Sequence, residues 1–221
     1  MKNVQDRILE IMNLAPVIPV LVIDDINAGV SLARALVEGG LPAIEVTLRT
    51  PSALDCITAI AAEVEGAVVG AGTVLNPKQM DQAIDAGSKF LVSPGATQEL
   101  IDASKRTNVP LLPGVATASE AMGLAEEGIT AVKFFPAQQA GGAGYLKALS
   151  SPLPHITFCP TGGINAKNAG EYLALPNVAC VGGSWVAPKE LIERGDWAGI
   201  TALAKAASEL KLDMFSVQSS D

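Results

Sequence analysis

Apolar runs recur along this chain roughly every twenty to twenty-five residues, with helical patterns in the intervals. The runs are Val17 to Ile23, Ala43 to Arg49, Ala67 to Val74, Phe90 to Pro94, Val109 to Val115, Ala131 to Ala137, Ile156 to Gly163 and Val178 to Val186. They are short and rich in β-branched residues, which favours buried strands over helices. Between them, Ala28 to Gly39 carries Val30, Ala33, Leu36 and Val37 at helical spacing, and Gly39-Gly40 stops it. Pro51 is expected to open the next helix with Thr50 as its N-cap, and Pro77 another with Asn76 as cap. Ser119-Glu120-Ala121 begins a further helix that ends near Gly128, and Val4 to Leu14 and Trp197 to Leu210 read as terminal helices. Such alternation, with no linker or low-complexity stretch, indicates parallel βα units. The expected closure is a (β/α)8 TIM barrel with an additional N-terminal helix, forming one domain over residues 1–221. Barrels of this kind usually run to ~250 residues, so the loops here should be short. A doubly wound sheet is disfavoured, because the first strand leads into Asp24-Asp25-Ile26 and not into a Gly-x-Gly-x-x-Gly turn.

The net charge of −8 and an aromatic content of 4% argue against a phosphate-backbone or base-stacking surface, so no nucleic-acid partner is expected. No uninterrupted apolar stretch reaches the ~18 residues of a membrane span. The N-terminus has mixed charge and no apolar signal core, which points to the cytoplasm. Cys56, Cys159 and Cys180 lack metal or redox spacing and read as reduced, buried thiols. The single histidine, His155, cannot build a multi-histidine zinc site and lies in a turn-like stretch.

Lys133 stands inside Ala131-Val132-Lys133-Phe134-Phe135-Pro136-Ala137, a run with the character of a buried strand. Burial disfavours an ammonium, and a neutral amine in an apolar pocket forms a Schiff base with a carbonyl substrate. In Ile44-Glu45-Val46-Thr47-Leu48-Arg49 the polar and apolar residues alternate. If Ile44, Val46 and Leu48 pack on the outer helices, Glu45, Thr47 and Arg49 face the interior. Ionised groups there are expensive unless paired or used, and a purely structural Glu–Arg pair is the bland alternative. Lys133 shares its parity with Phe135, and Thr73 follows Gly70-Ala71-Gly72. Glu45, Arg49, Thr73 and Lys133 could therefore converge from three strands, with Arg49 and Thr73 near the strand ends where such barrels place their sites. Two glycine-rich turns are expected after the last two strands, Gly162-Gly163 and Gly182-Gly183-Ser184. Backbone N–H groups there could approach a phosphate.

In order along the chain, Ile44-Glu45-Val46-Thr47-Leu48-Arg49-Thr50, Gly70 to Leu75, Phe90-Leu91-Val92-Ser93-Pro94-Gly95, Lys133-Phe134-Phe135-Pro136-Ala137, Phe158 to Ile164 and Val181-Gly182-Gly183-Ser184-Trp185 match a known pattern. The chain resembles the 2-keto-3-deoxy-6-phosphogluconate / 4-hydroxy-2-oxoglutarate aldolase family from about Pro19 to Trp185. The resemblance implies Lys133 as the Schiff-base lysine and Glu45 as general acid/base. It implies that Arg49 and Thr73 hold the pyruvoyl end of a small-molecule substrate and Thr161 its aldehyde portion, with Pro94 and Phe135 also in the substrate site. Gly162, Gly163, Gly182, Gly183 and Ser184 would take the phosphate. It implies a homotrimer needing no metal and no cofactor. Two residues depart from the pattern: Ala118 stands for a proline and Gln138 for a glutamate, neither with a direct chemical role. A metal-free phosphosugar isomerase or epimerase, with Glu45 as base and no covalent intermediate, is the first alternative. A non-catalytic phosphosugar-binding protein is the second.

Overall fold

The computed structural model describes residues 3–210; the ends of the expected domain, 1–2 and 211–221, lie outside the described residues. The strands are β1 (Val17–Leu21), β2 (Ala43–Thr47), β3 (Val68–Gly72), β4 (Leu91–Val92), β5 (Leu111–Leu112), β6 (Gly114–Val115), β7 (Ala131–Phe134), β8 (Thr157–Pro160) and β9 (Val181–Gly183). Each pairing within the sheets is parallel. Six strands, in the order β5-β4-β3-β2-β1-β9, form a curled half-barrel, and β6-β7-β8 form a second sheet. All eight expected runs contain strand, but the fifth is cut in two at Pro113. Proline has no N–H to give a ladder. Its carbonyl still accepts from the Lys133 N–H at 2.8 Å, so β5 pairs with β4 while β6 pairs with β7. Two isolated parallel bridges, Phe158 with Val178 and Thr161 with Gly182, tie β8 to the segment that becomes β9.

The helices are α1 (Val4–Met12), α2 (Ile26–Glu38), α3 (Ala53–Glu63), α4 (Pro77–Asp85), α5 (Gln98–Ser104), α6 (Ala118–Glu126), α7 (Gly142–Leu149), α8 (Ala169–Leu173), α9 (Lys189–Glu193) and α10 (Trp197–Ser208). Asn76 caps α4 as expected, accepting from the Gln79 N–H at 3.0 Å. Thr117 and Glu120 close a capping box on α6, and α6 starts one residue before Ser119. Thr50 does not cap α3. The cap position is Ser52, whose side chain makes no capping bond, and the Thr50 hydroxyl donates instead to the Ile23 carbonyl at 2.6 Å. No helix among the described residues is long and apolar enough to cross a membrane.

The alternation read in β2 and β7 divides the core into two apolar clusters. Ile44, Val46, Val132 and Phe134 pack outward with helix residues such as Leu36, Ile57, Ile60 and Leu146. Ala43 and Ala131, on the opposite faces, join Ile18, Phe90, Val92, Leu112 and Cys159 in the second cluster. Ile8 and Met12 of α1, both wholly buried, belong to that second cluster. Ala43 and Ala131 are the first residues of their strands, so α1 forms an apolar floor at the N-terminal strand ends. Gln5 fixes it there, its side-chain oxygen accepting from the N–H groups of Thr130 and Ala131 at 3.1 and 3.3 Å.

Truncating a wholly buried Met side chain typically costs about 2–5 kcal/mol. Met12→Ala should lower unfolding stability by that amount in urea titration. A loss below about 1 kcal/mol would show that α1 is not part of the core.

Candidate active site

The inward positions one step above that floor are Glu45 on β2 and Lys133 on β7. They approach from different sheets, and Lys133 Nζ donates to Glu45 Oε1 at 3.4 Å. Glu45 is 3% and Lys133 4% exposed, so both charged groups are withdrawn from bulk water. Nζ also lies 5.2 Å from the centroid of the Phe135 ring, within cation–π range. Room for the carboxylate comes from β3. Its Gly72 is paired beside Thr47, and a Cβ there would fall 2.1 Å from Glu45 Oε1. Gly114, the β6 residue paired with Lys133, lets Pro94 approach: a Cβ there would fall 2.2 Å from the Pro94 carbonyl oxygen.

The pair is poorly built as a stabilising staple. Two ions buried for stability need close geometry and further hydrogen bonds to offset lost hydration. Here the direct contact is a single long hydrogen bond.

Nearer the strand ends, the Arg49 Nε donates to Thr73 Oγ1 at 3.0 Å. Arg49 is exposed and Thr73 half-buried. Arg49 thus bonds Thr73 and not the Lys133–Glu45 pair. Thr73 has φ of 59°, in the left-handed region that a β-branched residue avoids. Strain of this kind costs on the order of 1–3 kcal/mol and concentrates at functional sites. Three hydroxyls fasten the Arg49 segment to the end of β1. Thr47 donates to the Leu21 carbonyl at 2.8 Å, Thr50 to that of Ile23 at 2.6 Å, and Ser52 to that of Asp24 at 3.0 Å. Their positioning role was not read from the sequence, although hydroxyl residues spaced around Arg49 were visible there.

Thr161 is buried, and its hydroxyl has no protein partner. It nests on Gly182, where a Cβ would fall 2.2 Å from Oγ1. Gly162 and Gly163 follow β8 with φ of 102° and 73°, values that favour glycine. Their carbonyls are occupied: Gly162 accepts from the Gln138 N–H at 3.0 Å, and Gly163 from Asn168 Nδ2 at 3.1 Å. Their N–H groups donate to no acceptor among the described residues. Free N–H groups on left-handed glycines suit an anion. The second glycine pair needs correction. Gly182 and Gly183 lie within β9 and form no turn. Their missing side chains admit Thr161 and the ring of Trp185, which would meet a Gly183 Cβ at 1.8 Å. Ser184, exposed just beyond β9, is the residue of that segment that opens to solvent.

The family described as KDPG and KHG aldolase matches residues 8–203. This chain belongs to that family. A 2-dehydro-3-deoxy-phosphogluconate aldolase of Pseudoalteromonas atlantica is 50% identical over 93% of this chain and 96% of its own length. A KDPG aldolase structure from Zymomonas mobilis with 3-phosphoglycerate superposes with a TM-score of 0.89 at 51% identity, covering 94% of this chain and 97% of that one. A KDPG aldolase structure from Legionella pneumophila, with pyruvate captured as a covalent carbinolamine, has a TM-score of 0.88 at 47% identity, covering 90% and 97%. Membership in the KDPG and KHG aldolase family makes this chain a carbon–carbon lyase and displaces the isomerase and binding-protein alternatives.

Breaking a buried ion pair by removing one partner typically costs about 3–5 kcal/mol, whereas replacing both with apolar groups is neutral or stabilising by about 1–4 kcal/mol. Lys133→Met and Glu45→Met should each be destabilising, and the double variant at least as stable as the parent by chemical denaturation. A double variant weaker than both single ones would mark the pair as structural.

Proposed function

We propose that this chain reversibly cleaves 2-keto-3-deoxy-6-phosphogluconate to pyruvate and glyceraldehyde 3-phosphate through a Schiff base on Lys133. By the same steps it would cleave 4-hydroxy-2-oxoglutarate to pyruvate and glyoxylate. The observation that supports the assignment best is the buried Nζ held 3.4 Å from a buried carboxylate.

In this reading Arg49, held by Thr73, grips the substrate carboxylate, as a planar guanidinium does in a bidentate pair. The Lys133 ammonium passes a proton to Glu45, and the amine adds to the keto carbon to give a carbinolamine. Loss of water, with the oxygen protonated by Glu45, leaves an iminium. Glu45, through a water, then takes the proton of the carbon-four hydroxyl. The bond between carbons three and four breaks, its electron pair enters the iminium to form an enamine, and the aldehyde departs. Glu45 returns a proton to carbon three, and water hydrolyses the new iminium to free pyruvate and restore the Lys133 ammonium. The iminium is the electron sink, so no step calls on a metal or cofactor. Positioned proton transfer of this type contributes about 10²–10⁴ in rate.

Gly162, Gly163 and Ser184 would bind the distal phosphate, with Gly182 and Gly183 setting the strand beneath. Thr161, whose buried hydroxyl lacks a protein partner, would bond the aldehyde portion. Pro94 and Phe135 would wall the pyruvoyl pocket. The β8–β9 bridges and the Lys133–Pro113 bond support closure of the two sheets as a (β/α)8 barrel. We assign the working form as a cytoplasmic homotrimer.

Glu45→Gln should form the iminium with pyruvate more slowly but still detectably by borohydride trapping, and exchange of the pyruvate methyl protons with deuterated water should slow by about 10²-fold or more by NMR. Release of pyruvate from the phosphorylated substrate should fall in parallel. Undiminished exchange would assign the base elsewhere.

A further inference from the structure

The turn that follows β6 is tied mostly by bonds of its own. The Glu120 carboxylate accepts from the N–H groups of Ala116 and Thr117 at 2.7 and 2.8 Å, and the Thr117 hydroxyl accepts from the Glu120 N–H at 3.3 Å. Ala118, the first residue of α6, is held differently. The opening N–H groups of a helix have no partner within it, and proline suits this position because it has no N–H to satisfy. Alanine brings one, which donates to the hydroxyl of Tyr145 on α7 at 3.1 Å. Thr117, with φ of −131° and ψ of 159°, has the extended backbone that a following proline would also accept.

Tyr145 makes a second contact. Its ring stacks on that of Phe134, with centroids 5.6 Å apart and planes 14° from parallel. Phe134 directly follows Lys133 and is paired with Val115 of β6. Phe135, whose ring centroid lies 5.2 Å from Lys133 Nζ, donates its N–H to the Val115 carbonyl at 3.0 Å. One side chain of the helix layer thus touches β7 beside the lysine and holds the turn just past Val115.

We propose that Tyr145 is a positioning residue: it clamps β6 and β7 together from the helix layer, and so keeps the Lys133 amine and the Phe135 ring aligned for attack on the keto carbon. This rests on the reading of Lys133 as the Schiff-base lysine.

The test uses the full-length enzyme, with pyruvate and borohydride as the probe. Rapid-quench mass spectrometry follows how fast pyruvate becomes reducible onto Lys133. Tyr145→Phe keeps the ring and loses only the hydroxyl. Its trapping rate should fall about threefold to tenfold, the range of one net hydrogen bond. Adding Ala118→Pro to that variant removes the stranded N–H and fixes φ, so the double variant should return to within about twofold of the parent. Amide exchange across residues 116–121 should quicken in Tyr145→Phe and slow again in the double variant. A role in stability alone would lower the urea midpoint of Tyr145→Phe and leave the trapping rate of the folded protein unchanged, which would overturn the proposal. A loss that the added proline does not recover would overturn it too. If Tyr145→Phe does not fold, the folded double variant still decides: parent-like trapping supports the clamp, and slow trapping overturns it. Trapping by the unaltered enzyme separates the two readings. A parent that traps normally beside an equal Tyr145→Phe removes only the role of Tyr145, whereas a parent that never traps removes the Lys133 assignment itself.

Discussion

A carboxylate and an ammonium meet out of water between two sheets, and the rest of the molecule is arranged around that contact. Removing each ion from water costs several kcal/mol after relaxation. Their attraction at about 4 Å returns on the order of 4 kcal/mol at the effective dielectric that suits protein sites. The Lys133–Glu45 pair is thus near balance, and its stability must come from elsewhere. The wholly buried Ile8 and Met12 close the interior below it. Gly72 clears the space that the Glu45 carboxylate fills, and Gly114, paired with Lys133, admits the Pro94 backbone. A charged pair that contributes little to folding, beside a glycine that makes room for it, is consistent with the proposed chemical role.

Above the pair the polar groups separate into two regions. Arg49 and the strained Thr73 follow β2 and β3, while the free glycine N–H groups and Ser184 follow β8 and β9. Thr161, on the bridge between β8 and β9, carries the unpartnered hydroxyl between them. In the proposed reading the first region takes the substrate carboxylate and the second its distal phosphate.

Much of this was legible in the chain itself. Period-two alternation decided which side chains turn inward along Ala43 to Thr47 and Ala131 to Phe134, because strand geometry leaves no other choice; Arg49, expected to continue the inward face, lies past the end of β2 and is exposed. What was not legible depended on contacts between distant segments or on unusual backbone. Nothing near Gln5 indicates that its side chain meets residues 125 positions away. Threonine avoids positive φ, so the conformation of Thr73 could not be read from its identity. Gly182-Gly183 looked like a turn because glycine pairs commonly are one. In the fold they are strand, made necessary by the bulk of Thr161 and Trp185. The single run from Val109 to Val115 concealed a break, since Pro113 interrupts the ladder while its carbonyl still serves it. Thr50 had the spacing of a cap, but its hydroxyl found a better acceptor across the loop.

The central claim is that Nζ of Lys133 becomes covalently bonded to substrate carbon. The direct measurement is to incubate the enzyme with pyruvate, reduce with borohydride, and locate the added mass by peptide mapping. The account predicts one modification per chain, on the peptide bearing Lys133, and none when Lys133 is replaced by alanine. An unmodified protein, or the same mass on another lysine, would contradict it.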